Sequence, residues 1–87
     1  MSEGTVNPAR VDPREILTAR EQEVLDAVEL GLTNGEIARR LHVSVHAVKF
    51  HLAAIYRKLN VVNRTEAVAV SLRAKAFTGD VGQGLES

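Results

Sequence analysis

The chain has 87 residues, enough for one small domain, and balances 11 lysines and arginines against 11 acids, so its total charge points to no partner. Cysteine is absent, which excludes a disulfide framework, a thiolate metal site and a thiol nucleophile. The aromatics Phe50, Tyr56 and Phe77 are too few to stack single-stranded bases, and no apolar run approaches the ~18 residues of a membrane span.

Residues 1–16 hold both prolines, Pro8 and Pro13, without apolar periodicity, and are expected to form a flexible arm or linker. The start lacks a signal-peptide apolar core, so the expected compartment is the cytosol. The folded unit is expected over 17–77. Thr18 followed by Glu21 is a capping box that opens a first helix. Val24, Leu25, Val28 and Leu32 give it an apolar stripe, and Gly31 stops it. Thr33 with Glu36 opens a second helix near Thr33-Asn34, whose inner face is Ile37, Ala38 and Leu41.

A break follows at His42-Val43. Ser44 then caps a third helix running to Leu59, with Asn60 suited to the left-handed conformation that ends it. Asn63 with Glu66 begins a fourth helix that reaches about Ala76. Residues 78–87 are glycine-rich and read as a flexible tail. No strand pattern is present, so the expected class is all-α with four helices.

Charge is unevenly spread. Leu17 to Leu32 sets Arg20 against Glu21, Glu23, Asp26 and Glu29, a net −3. Thr33 to Lys75 has eight bases against Glu36 and Glu66, a net +6. A basic segment of this kind calls for an anionic partner, with nucleic acid the default.

The third helix has two distinct sides. At about 100° per residue, Leu52, Ile55 and Leu59 fall within about 40° of Val48, which makes an inward seam. His46, Phe50, Ala53 and Arg57 fall roughly 140–200° away, with Lys49 at about 100°. Phe50 thus points into water in a helix whose core seam is complete without it. A short helix, a tight turn and a longer helix over Glu36 to Leu59 also make a helix-turn-helix pattern, whose second helix fits a major groove about 12 Å wide.

The stretches LTARE (17–21), EVL (23–25), GLTNGEIA (31–38), VK (48–49), KL (58–59) and NRTEA (63–67), with Leu41, Ser44, His51, Ile55 and Val61, resemble the LuxR-type DNA-binding domain across the whole folded unit. Region 4 of bacterial sigma factors resembles only the EIA…VK part and usually lacks the histidine after VK and the NRTEA block. The LuxR resemblance implies a bacterial transcription regulator, or its DNA-binding end, in the cytoplasm at the nucleoid. Its third helix would be the recognition helix in the major groove of double-stranded DNA, and its fourth would pair two copies into a homodimer. It implies that Lys49, Phe50 and Ala53 face bases. Ala47 stands where the family usually has threonine and offers no hydroxyl to a phosphate, and Ala53 has no polar group to reach a base.

Lys49 can bond a guanine edge or a phosphate, His46 at the helix start can donate to phosphate, and Arg57 reaches the backbone. Asn34 and Ser44 are candidate caps and phosphate contacts. Arg64 falls at a motif position that ties the last helix to the third. The fourth helix carries two apolar stripes, Ala67-Val70-Ala74 and Val68-Leu72, and the second is the candidate dimer seam.

His42, His46 and His51 do not share a face, so no metal site is expected, and His51 reads as a packed, hydrogen-bonded histidine. No nucleophile and base are arranged for catalysis, and no cofactor, small-molecule ligand or membrane partner is expected. The competing reading is a protein-interaction module that keeps the fold but has lost base readout, with Phe50 as its anchor. The sequence contains no sensor domain, which fits a stand-alone regulator and the DNA-binding end of a longer one equally.

Overall fold

The computed structural model describes residues 13–76. Its helices are α1 (Pro13–Ile16), α2 (Ala19–Glu29), α3 (Asn34–Leu41), α4 (Val45–Leu59) and α5 (Arg64–Lys75), and no strand occurs among the described residues. The four predicted helices are α2 to α5. α1 is a single turn lying inside the stretch expected to be an arm. Proline suits its first position, because the ring presets φ and the missing N–H would have had no helical partner. The Leu17 N–H closes the turn on the Pro13 carbonyl at 2.9 Å, and Leu17 packs on the core. The rest of the expected arm and tail, 1–12 and 77–87, lies outside the described residues.

Each long helix starts on a side chain that takes an otherwise unpaired backbone N–H. Thr18 and Glu21 form the reciprocal capping box of α2, at 2.9 and 3.1 Å. Thr33 and Glu36 do the same for α3, at 2.8 and 3.1 Å. Ser44 Oγ accepts the Ala47 N–H at 3.0 Å, and Asn63 Oδ1 accepts the Glu66 N–H at 2.9 Å. Asn34 is therefore not a cap. It is the first residue inside α3, and Thr33 does the capping.

Three helices end alike, through a left-handed residue: Gly31 (φ 85°), His42 (φ 60°) and Asn60 (φ 58°). In each case the next residue donates back five positions, Leu32 to Ala27 at 3.2 Å, Val43 to Ala38 at 3.0 Å and Val61 to Tyr56 at 2.9 Å. That apolar residue also packs against the core, as this type of helix end favours. His42 is the least expected of the three, since a side chain in this region costs about 1 kcal/mol that glycine avoids. What it secures is the tight turn between α3 and α4, plugged by Val43.

α4 packs against α2, α3 and α5. Its seam of Val48, Leu52, Ile55 and Leu59 is buried with Val24, Leu25 and Val28 of α2, Ile37 and Ala38 of α3, and Ala67 and Val70 of α5. Each large aliphatic side chain taken from water in this way stabilises the fold by about 1.5–3 kcal/mol.

Polar bridges fix the helices relative to one another. Lys58 of α4 reaches Glu21 of α2 at 2.7 Å. Burial, the largest influence on the Glu21 carboxyl, pushes its pKa up, but the bonds from Lys58 and Thr18 together outweigh it and hold it below its ordinary value. Glu29 of α2 takes the Ser71 hydroxyl and, at 2.6 Å, the Lys75 ammonium, both from α5. The bond to Glu29 is the main cause of a raised Lys75 pKa. Arg64 at the start of α5 donates to Asn34 Oδ1 at 2.9 Å and to the Leu32 carbonyl. It thus ties the last helix to the start of α3, not to α4 as expected, because its guanidinium finds two acceptors where the turn after α2 leaves a carbonyl open.

Candidate nucleic-acid interface

With its seam buried, α4 turns one long face outward. It rises about 22 Å over its 15 residues, and Ser44, His46, Lys49, Phe50, Ala53 and Arg57 are all exposed along it. Phe50 is 72 % exposed, the most open large apolar side chain of the helix. None of His46, Lys49 or Arg57 forms an ion pair with an acid among the described residues. Ser44 spends an oxygen lone pair on its cap and keeps its O–H for another acceptor. Ala47 and Ala53, three residues to either side of Phe50, add only methyl groups to this face. Two further cations, Arg39 and Arg40, lie exposed in the last turn of α3.

Two predicted residues sit differently. Asn34 belongs to α3, is half-buried, and has its carboxamide oxygen engaged by Arg64, which leaves its NH2 group as donor. His51 is half-buried but makes no side-chain hydrogen bond among the described residues. Its ring meets Phe50 edge-on, with centroids 5.9 Å apart and planes at 69°. The expectation of a hydrogen-bonded histidine gives way to an aromatic contact, because the neighbouring outward ring offers an apolar surface and no acceptor.

On α5 the two apolar stripes separate. Ala67, Val70 and Ala74 are buried together with Ser71, Val68 is half-buried against the core, and Leu72 is 52 % exposed. A cleft of about 310 Å³ between α2 and α3 is lined by Glu23, Asp26, Ala27, Leu30, Arg40 and Leu41. Its acids are already engaged, Glu23 by Arg20 at 3.0 Å and Asp26 by Lys75 at 3.7 Å. Among the described residues no three His, Asp or Glu side chains are grouped to hold a metal ion, and no helix is long and apolar enough to cross a membrane.

Sequence reasoning missed Lys58 and Ser71 as partners of α2. The signal was partly visible. Glu21 lies three and four residues before Val24 and Leu25, and Ser71 lies between Ala67 and Ala74, so both sit on buried stripes where a polar group requires a partner.

A capped helix with a sealed inner side and a basic, partnerless outer side, following a short helix and a tight turn, defines an all-α helix-turn-helix domain. The model of the LuxR family of bacterial regulatory proteins matches residues 15–71, and the chain belongs to that family. The match is to the first of the two families that the sequence resembles. The transcriptional regulatory protein ComA of Bacillus subtilis is 44 % identical over 64 residues, 74 % of this chain and 30 % of ComA. The probable transcriptional regulatory protein SgaR of Hyphomicrobium methylovorum is 52 % identical over 59 residues, 68 % of this chain and 28 % of SgaR. The match thus spans less than a third of either relative. A solved structure of the anti-activator RapF complexed with the ComA DNA-binding domain contains a chain that is 48 % identical, with a TM-score of 0.63, over 64 % of this chain and 97 % of that one. These relatives are regulators of transcription, not enzymes.

Proposed function

We propose that this domain binds double-stranded DNA as part of a bacterial transcriptional regulator, with α4 in the major groove. The observation that carries this reading is the outer face of α4, where His46, Lys49 and Arg57 are exposed without acidic partners on a helix of groove width. Lys49 and Phe50 face the bases, Ala53 approaches them without a polar contact, and His46, Ser44 and Arg57 contact phosphates. The amide of Asn34 adds a backbone contact from α3. The work is done at the nucleoid, in the cytoplasm.

Two copies pair through α5, with Leu72 at the centre of the seam and Val68 beside it. The 52 % exposure of Leu72 on a helix whose other apolar stripe is already buried supports this. A Leu72→Lys variant is expected to lower the affinity for a two-half-site duplex while leaving the fold intact, and sedimentation of the bound species would reveal one copy where the native chain gives two.

The direct test is duplex binding by fluorescence anisotropy over a range of salt. Affinity should fall steeply with salt, because lysine and arginine contacts release counterions. Affinity that ignores salt sinks the reading. Selection of bound duplexes from a random pool would then give the site and the spacing of its halves. A second reading, a protein-docking module anchored by Phe50, draws support from the exposure of that ring. It requires a protein partner that is lost in Phe50→Ala and no affinity for duplex.

A further inference from the structure

Phe50 is the most exposed large apolar side chain of α4, and neither charge nor hydrogen bonding explains it. It is 72 % exposed, its seam-side neighbours Val48 and Leu52 are buried without it, and Lys49, Arg57 and His46 are exposed on the same side of the helix. An apolar group on a face with the exposed, unpaired cations Lys49 and Arg57 fits an anionic partner that carries an apolar spot. Duplex DNA has such a spot in its major groove, the 5-methyl group of thymine. The neighbours of Phe50 make it the one apolar side chain near the middle of that face long enough to reach a base methyl. Ala47 and Ala53, three residues to either side, are too short to compete and bring no polar group that would need a base partner. On its other flank the ring meets half-buried His51 edge-on, at 5.9 Å and 69°.

We propose that Phe50 is a specificity-determining residue that selects thymine at one position of each half-site by packing its ring on the 5-methyl group. This rests on the major-groove reading of α4 and adds to it a chemical discriminator, a methyl and not a hydrogen bond. A methyl contact supplies base selectivity where Ala47 and Ala53 contribute no polar contact.

The test isolates the methyl. The preferred duplex is first selected, then each thymine in turn is replaced by deoxyuridine, which keeps every hydrogen-bonding group and removes only that methyl. At one thymine per half-site the native protein should lose about fourfold in affinity, the usual consequence of losing a CH₂-sized apolar contact. Phe50→Ala should bind the thymine and deoxyuridine duplexes equally, while Phe50→Leu should keep part of the preference. Circular dichroism of both variants checks that α4 remains folded.

If duplex binding is salt-dependent but no deoxyuridine costs affinity, or the cost persists in Phe50→Ala, the inference is overturned and the groove reading stands. The same holds if the selected half-site contains no thymine. If no duplex binds and Phe50→Ala instead abolishes a protein complex, both readings fall.

Discussion

On α2 the acids meet partners inside the molecule. Glu21 takes Lys58, Glu29 takes Ser71 and Lys75, and Asp26 takes Gln22 and Lys75. On the outer face of α4 the cations meet none. One helix spends its charges on the fold and the other leaves them open. The difference refines the uneven charge seen in the sequence. Three of the eight bases between Thr33 and Lys75, namely Lys58, Arg64 and Lys75, are consumed within the domain. Arg39, Arg40, Lys49, Arg57 and Arg73 form no ion pair among the described residues, and they are the part of the +6 that a polyanion would meet.

The sharpest way to break this contrast is to cut the two sides of α4 separately. Ile55 is fully buried, and Ile55→Ala should lower stability by about 2–5 kcal/mol in urea unfolding, through lost transfer energy and the cavity left behind. Phe50→Ala on the opposite side should change it by no more than about 0.5 kcal/mol. Comparable losses in the two variants would mean that the sides have been assigned wrongly.

The next effect lies on α2. Glu21→Gln weakens the cap and removes the ion pair with Lys58, and should cost about 1–2 kcal/mol at neutral pH. Because the Glu21 carboxyl is held below the ordinary value of 4.5, its contribution is present above that value and is lost as pH falls through the lowered one. Glu36 is also lowered, chiefly by the Thr33 N–H, and acts with the same sign. Thermal melts of the native chain should therefore lose stability as pH drops below 4.5, and Glu21→Gln should flatten part of that slope without abolishing it. An unchanged slope would show that the α2–α4 bridge holds little of the fold.

The smallest expected effect on stability comes from the outer face of α4 and is the most telling for function. Lys49→Ala should leave stability within about 0.5 kcal/mol, weaken duplex binding, and reduce the salt dependence by about one phosphate-equivalent if the contact is ionic. A Lys49→Ala protein that binds as the native one does would remove α4 from the interface.

Some of this was legible residue by residue. Thr18, Thr33, Ser44 and Asn63 announce helix starts, because a cap involves a side chain and an N–H only two or three positions away. Asn60 and Gly31 announce ends, since few residues tolerate the left-handed turn. The seam of α4 follows from its 4, 3, 4 spacing. On α5 the pattern was ambiguous, because its two stripes are nearly equal in apolar character, and packing chose Ala67, Val70 and Ala74 while leaving Leu72 outside. The left-handed turn at His42 gave no sign in its residue type.

What the sequence determined by itself is the four long helices, α2 to α5, and the two sides of α4, since each depends on interactions within about one turn of chain; the single turn α1 fell in the stretch expected to be an arm. The tertiary structure alone decided which polar groups were consumed. Glu21 and Lys58 stand 37 residues apart, Arg64 and Asn34 stand 30 apart, and Ser71 and Glu29 stand 42 apart. No local pattern encodes such pairs. They form because the apolar seams bring α2, α3, α4 and α5 together, and desolvation then forces each enclosed carboxylate and guanidinium to find a partner. The charges that packing did not enclose are the ones left for a ligand.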